Sequence, residues 1–172
     1  MSSVEPAFGD WSRAWASWTP RERATLLFLR RDGRLLLIEK KRGFGAGKVN
    51  APGGRIAEGE TPAAAAVREA MEEVGLRPLD PTLVGSLSFQ FADGYSIHAT
   101  VFLATRAEGA EVETPEAVPF WVAEDAIPYE RMWTDDRVWL PHVLAGRTIA
   151  GRFWFDGDRM VRYGLSIGPA FR

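Results

Sequence analysis

The chain has 172 residues, 46% of them hydrophobic, which is enough for one sizeable core and short for two domains. Its 21 Lys and Arg against 23 Asp and Glu give a net charge of −2, so no general positive field would hold a nucleic acid polymer and any phosphate binding must be local. The absence of cysteine excludes a disulfide framework, a thiolate metal site and a cysteine nucleophile, and no apolar run approaches about eighteen residues. A cytoplasmic, monomeric protein without membrane contact is expected.

Residues 1–23 read as an N-terminal extension and 24–172 as a single domain. Trp11, Trp15 and Trp18, spaced four and three apart, would share one face of a helix, as a cap packed on the domain. A membrane-surface or partner-binding helix would show the same stripe, but opposite a run of Lys and Arg; here Glu5 and Asp10 are interspersed. Apolar segments 24–31 and 34–40, joined by Asp32-Gly33, predict a β-hairpin. Gly43 to Gly47 and Ala51-Pro52-Gly53-Gly54 predict loops. A helix follows, with Thr61 as N-cap, Pro62 at its first position, four alanines and a stop at Gly75. Segments 82–91 and 96–105 around Asp93-Gly94 predict a second hairpin, 106–116 an acidic loop, 117–123 a strand, and 136–146 a helix with Trp139, Leu140, Val143 and Leu144 inward. Phe153 to Phe155, a turn at Asp156 to Asp158, and Met160 to Leu165 predict a closing hairpin.

On the helix, Glu69, Glu72 and Glu73 stand at i, i+3 and i+4, on one face and within about 5 to 6 Å at the Cβ atoms. Alone, such a run reads first as a solvated acidic face, since charge runs usually face water. Oxygen ligands without His or Cys would select magnesium, with manganese as a substitute. His98 and His142 have no second ligand at metal spacing and are set aside.

Gly54, Glu60, Arg68-Glu69, Glu72-Glu73 and Gly75-Leu76 fall at the spacing of the Nudix box. Seven fixed positions match by chance at a rate on the order of one in a billion per starting point, taking a residue frequency of roughly 6%. The chain is therefore identified as resembling the Nudix hydrolases; the soft position is Ala70, where a larger aliphatic is usual. The resemblance implies an α/β (α+β) Nudix fold, a mixed β-sheet sandwiched between helices, with Mg²⁺ (or Mn²⁺) as cofactor. It implies Glu69, Glu73 and the carbonyl of Gly53 as metal ligands, Glu72 as an assisting ligand or base, and an Arg68–Glu60 pair bracing the loop.

Lys40 to Asn50 and Met132 to Asp136, with Trp139 and Pro141, further resemble the MutT-homologue subfamily that hydrolyses oxidised purine nucleoside triphosphates. That resemblance, running from about Thr25 to about Leu165, implies hydrolysis of 8-oxo-dGTP or 2-hydroxy-dATP to monophosphate and pyrophosphate. It places Thr25 at the pocket floor, Lys40 among the substrate-binding residues, and Asn50, Asp135 and Asp136 on the base edges. Trp133 would stack on the ring, Phe44, Phe89 and Trp139 would build the apolar wall, and Glu116 would be a remote metal ligand or base. Val49, Pro52 and Thr134 depart from the subfamily's residues at those places. From residue chemistry alone, Asp135-Asp136 reads equally as a helix N-cap pair, the tryptophans as core, and Glu116 as a loop acid. Other expectations are a Nudix hydrolase for methylated purines, unmodified dNTPs or a dinucleotide, and a silent nucleotide-sensing Nudix domain.

Overall fold

Period-two burial along long strands builds one mixed sheet with a separate core on each face. The computed structural model describes residues 11–171, so Glu5, Asp10 and the side chain of Trp11 lie outside the described residues. The chain runs α1 (Trp11–Ala16), β1 (Glu22–Arg31), β2 (Arg34–Lys40), β3 (Val49–Asn50), β4 (Gly53–Arg55), α2 (Pro62–Val74), β5 (Arg77–Leu79), β6 (Thr82–Phe91) and β7 (Ser96–Ala104). It continues through β8 (Arg106–Glu108), β9 (Ala117–Ala123), α3 (Asp136–Leu144), β10 (Arg147–Asp156) and β11 (Arg159–Ala170).

Among the described residues the main sheet has nine strands, in the order β11-β10-β6-β7-β1-β2-β3, with β4 added to β1 and β9 to β2. β1 runs parallel to β7 and β10 parallel to β6; the other pairs are antiparallel. The expected first hairpin is present, with Asp32 and Gly33 at φ 50° and 70°, as its two-residue turn requires. Alternation sends Phe28, Leu35 and Leu37 into one core with Trp139, Leu140 and Val143 of α3, and Leu27, Leu29, Leu36 and Ile38 into the other with Ala66 and Val74 of α2. Helices thus cover both faces, as the family resemblance implies.

The structure corrects four local expectations. The second glycine-rich stretch is not loop throughout, since β4 begins at Gly53 and β3 precedes it at 49–50, whereas Gly43 to Gly47 form a loop as expected. Residues 106–108 form β8, which pairs with β5 in a second small sheet; only the remainder of the acidic stretch is irregular. The closing hairpin is longer than the aromatic run suggested, starting at Arg147 and ending at Ala170. Trp18 lies beyond the end of α1, so the tryptophan stripe is not purely helical.

β1 changes partner along its length. Ala24, Thr25 and Leu26 pair with Arg55, Gly54 and Gly53 of β4, whereas Leu29 to Arg31 pair with Leu36 to Arg34 of β2. The Leu27 N–H, at the fork, donates to the Pro52 carbonyl at 2.8 Å. The cleft opens beside this fork.

Candidate active site

α2 forms because its ends are fixed and its inner face is small. The Thr61 hydroxyl accepts from the Ala64 N–H at 3.2 Å, a cap worth about 1 kcal/mol. Pro62 opens the helix, and Gly75 closes it in the left-handed region at φ 75°. Ala65, Ala66 and Ala70 are buried and bring the helix axis close to the sheet. Ala70 is therefore suited to its place although the Nudix box usually carries a larger aliphatic there.

That close approach carries Glu69 and Glu73 to the Gly53-Gly54 strand. Glu73 Oε2 accepts from the Gly53 N–H at 3.1 Å, and a side chain on Gly54 would begin 2.3 Å from the Glu69 carboxyl carbon. Arg68 ties the segment together, donating through Nε and one Nη to both oxygens of Glu60 at 2.8 and 2.9 Å. It also donates to the Arg55 carbonyl at 3.0 Å, to Glu69 at 2.9 Å and to Glu72 at 3.2 Å. The Arg68 hydrogen bonds hold the Glu60 carboxyl down at about 2.

Glu69, Glu73 and Glu116 all line one cleft of about 450 Å³, together with Lys40, Arg42, Gly53 and Gly54. Glu116 pairs with Arg42 at 3.0 Å. Glu72, Glu60 and Arg68 do not reach the cleft; the Glu72 carboxylate is about half exposed beside Arg68. Burial pushes Glu73 up to about 7, opposed by the Gly53 N–H, with the charges of Glu69 and Glu116 adding to the rise and Lys40 offsetting it. Burial also raises Glu69, opposed by Arg68, with Glu72 and Glu116 pushing the same way as burial. Among the described residues no three carboxylates converge tightly enough to enclose an ion as they stand. Arg68 holds Glu69 and the Gly53 N–H holds Glu73. The donor chemistry nonetheless fits a divalent cation: oxygen-only groups that resist joint ionisation gain most from a positive charge among them.

The other end of the cleft is apolar and closed by buried acids. Phe89 and Trp133 line it, and the exposed Phe44 stacks on Trp133 with centroids 5.2 Å apart and planes 14° apart. The Lys48 ammonium lies 4.8 Å from the Trp133 centroid. Asn50 is fixed by its side-chain oxygen, which accepts from the Ala51 N–H at 2.8 Å. Asp135 and Asp136 are both buried, and neither caps α3 through its side chain. Asp135 thus occupies the N-cap position and Asp136 the first turn of α3, without a capping hydrogen bond from either carboxylate. Asp135 Oδ2 accepts from Trp139 Nε1 at 2.9 Å, while Asp135 Oδ1, Asp136 Oδ2 and the Thr25 hydroxyl are buried with no hydrogen-bond partner among the described residues. Burial raises both acids, and the neighbouring Asp135 charge raises Asp136 further.

Trp139 departs from the pocket-wall role that the resemblance implied. It is fully buried, edge-on to Phe28 at 5.7 Å, and absent from the cleft lining; its contribution is to hold Asp135. Among the lining residues that were not anticipated are Phe91, Tyr95 and Ile97. Alternation from Phe89 would have found Phe91, and the pairing of Phe89 with Ile97 would have found the latter. At the mouth, the Tyr95 hydroxyl donates to Glu22 at 2.6 Å, and Arg55 bonds the same carboxylate at 2.7 Å.

A cleft that sets carboxylates and cations at one end against a polar-floored aromatic slot at the other, on a mixed sheet between helices, defines a hydrolase of nucleoside phosphate compounds. A NUDIX domain model matches residues 19–143, and the chain belongs to the Nudix hydrolase family, whose members use divalent metal ions. The chain is 39% identical over 138 residues to the oxidized purine nucleoside triphosphate hydrolase of Danio rerio, covering 80% of this chain and 88% of that protein. It is 38% identical over 149 residues to the protein of the same name from Mus musculus, covering 86% and 96%. Among solved structures, a MutT protein of Bacillus halodurans superposes with a TM-score of 0.76 at 29% identity, covering 84% of this chain and 97% of that one. Among the described residues no helix is long and apolar enough to cross a membrane.

Stability of the ion-free protein should fall as pH rises. A carboxyl whose native pKa is raised binds more protons in the native than in the unfolded state, so the linkage slope is negative between the two values. For Glu73 that window runs from 4.5 to about 7, and Asp135 and Asp136 shift in the same direction. Melting in EDTA should therefore give a higher Tm near pH 5.5 than near pH 8, and Mg²⁺ should restore more stability at the higher pH. A Tm that climbs steadily to pH 8 without metal would contradict the assignment.

Proposed function

We propose that this protein hydrolyses oxidised purine nucleoside triphosphates, such as 8-oxo-dGTP and 2-hydroxy-dATP, to the monophosphate and pyrophosphate, sanitising the free cytoplasmic nucleotide pool as a monomer. The observation that carries the reading is the trio of unpartnered buried polar atoms, on Thr25, Asp135 and Asp136, among residues lining a cleft whose far end is carboxylate. A buried polar atom without a partner costs about 1 to 3 kcal/mol, so a ligand that supplies the missing hydrogen bonds recovers that cost. The substrates in the names of the zebrafish and mouse relatives support the same choice.

Glu69, Glu73, Glu116 and the Gly53 carbonyl would hold Mg²⁺, with Mn²⁺ as a substitute. When bound, the ions neutralise the phosphate chain and make water a better nucleophile at neutral pH. The chain's own contribution is placement. Lys40 and Arg42 flank the phosphates, Arg68 keeps the carboxylate segment against β4 through Glu60, and Glu116, which lines the cleft where Glu72 does not, accepts the proton of the attacking water. At the base end, Phe44, Phe89 and Trp133 sandwich and enclose the purine while Asn50 reads one edge and the two acids the other. Attack falls at the β-phosphorus.

With two carboxyls buried side by side, one stays protonated and donates while its neighbour accepts. Exchanging those roles lets one slot take either 8-oxoguanine or 2-hydroxyadenine. Asp135→Asn, whose amide fixes one donor, should change the kcat/KM ratio for 8-oxo-dGTP over 2-hydroxy-dATP by about 10-fold or more. An unchanged ratio would remove the proton-sharing account.

The test of the function is pyrophosphate release with Mg²⁺ from 8-oxo-dGTP, 2-hydroxy-dATP, O6-methyl-dGTP, dGTP and dATP. Preference for the oxidised purines by about 10-fold or more in kcat/KM supports the proposal. Preference for another member of the panel keeps Nudix chemistry and discards the base assignment, and no turnover points to a sensor.

A further inference from the structure

The hairpin of β6 and β7 has two faces with different neighbours. Phe89, Phe91, Tyr95 and Ile97 line the cleft. The alternate residues Ser88 and Gln90 point to the opposite face of the sheet, the one that α2 covers further along at β1, β2 and β7. There, over β6 and β10, the covering element is the segment that enters the domain from α1. Trp15 is buried, lies 4.9 Å from Trp18, and has Arg152 of β10 over its ring at 5.9 Å. Trp18 Nε1 donates to Gln90 Oε1 at 2.9 Å, and the Gln90 amide donates in turn to the carbonyls of Phe91 and Tyr95 at 3.0 and 3.1 Å. The Arg21 N–H donates to the buried Ser96 hydroxyl at 3.0 Å. Trp15 and Trp18 precede the span matched by the NUDIX model, which begins at residue 19.

We propose that the Trp15–Trp18 cap is a positioning element for substrate selection, locking through Gln90 the hairpin tip whose other face is the aromatic wall of the base slot. This rests on the base-binding reading of that slot. Trp18 meets the hairpin through Gln90, whose side chain points away from the cleft. Gln90 spends both amide hydrogens on the tip's own carbonyls, so the tryptophan N–H is the bond that fixes its remaining oxygen. Without it the tip at 91–95 keeps the Ala92 N–H bond to the Phe155 carbonyl at 2.9 Å and the Tyr95–Glu22 bond. Gln90, however, is no longer fixed from behind, and the spacing between Phe91, Tyr95 and the opposing Phe44, now 5.5 and 5.2 Å between centroids, is free to widen. Phosphate positioning on α2 and β4 is built from other contacts and stays intact.

Trp18→Phe in the full chain keeps the ring and deletes the N–H. The expected result is a KM for the preferred oxidised triphosphate raised about 5- to 10-fold, with kcat within about 2-fold. Preference over the unmodified nucleotide should shrink by about the same factor, with Tm within about 3 °C of native. Amide exchange should quicken at 89–97 and not at 26–29. Gln90→Leu should give the same shift, and the double variant little more, because both cut one chain of bonds. Unchanged KM and preference, or a uniform loss matched by a fall in Tm, would overturn the proposal and leave an ordinary structural cap. If the native protein turns over none of the panel, the proposed function fails by itself. The exchange measurement then still decides: quickening confined to 89–97 supports the positioning role, and uniform or absent quickening overturns it.

Discussion

Glu73→Gln should abolish hydrolysis while making the ion-free protein more stable. The side chain keeps its shape, and an amide oxygen still accepts from the Gly53 N–H that now donates to Glu73 at 3.1 Å. What disappears is a negative charge in a buried place, where the carboxyl already sits up at about 7 because burial and its acidic neighbours oppose ionisation. Near pH 8, removing that charge relieves the native state, so Tm in EDTA should rise by a few degrees. The same charge is what a divalent cation needs, and its loss should lower kcat by about 10³-fold or more, roughly 4 kcal/mol of barrier. Steady-state kinetics with Mg²⁺ and a melt in EDTA read both quantities on one preparation. Activity within about 10-fold of native would mean that Glu73 is no ligand.

Gly53→Ala and Gly54→Ala should fail in different ways. A Cβ on Gly53 would lie 2.0 Å from the Thr25 carbonyl oxygen and 3.1 Å from the Leu26 Cα, both backbone of β1, so the β1–β4 pairing must spread. Overpacking against backbone costs about 3 kcal/mol, which at this chain length lowers Tm by about 6 to 12 °C and removes activity with it. The atoms nearest a Cβ on Gly54 are those of the Glu69 carboxyl, at 2.3 to 2.5 Å, and a side chain can swing away. Gly54→Ala should therefore melt within about 3 °C of native while losing about 10²-fold in kcat, because Glu69 is pushed out of the cleft. Equal melting temperatures for the two variants would refute the distinction.

The features that announce themselves in the sequence are those fixed by local chemistry. Thr61, Pro62 and Gly75 bound α2 because capping depends on neighbours in the chain, and Asp32-Gly33 declares its hairpin for the same reason. β4 was hidden because a strand of two glycines and an arginine carries no periodic apolar signal; it exists through its pairing with β1. Likewise β5 and β8 are three residues each and hold together through each other. At the site, the spacing of α2 acids foretold that Glu69 and Glu73 share a face, yet it could not tell that Glu72 turns to Arg68 and solvent. Nor could an aromatic's identity distinguish Trp133, on the slot, from Trp139, six residues on and wholly in the core. That difference is set by how α3 meets the sheet.

The fork in β1 makes that strand a ruler. Residues 24–26 border the aromatic slot and, through their own backbone hydrogen bonds, carry the glycines against which the α2 acids rest. Strand length comes in increments of about 3.3 Å, and a shift of one residue turns every side chain to the other face. The separation between the two ends of the cleft is therefore quantised and resists drift through small backbone change. Descendants of such a chain would acquire new bases by altering the girth of Phe89, Phe91 or Ile97, while the reach from base to scissile phosphate is inherited unchanged.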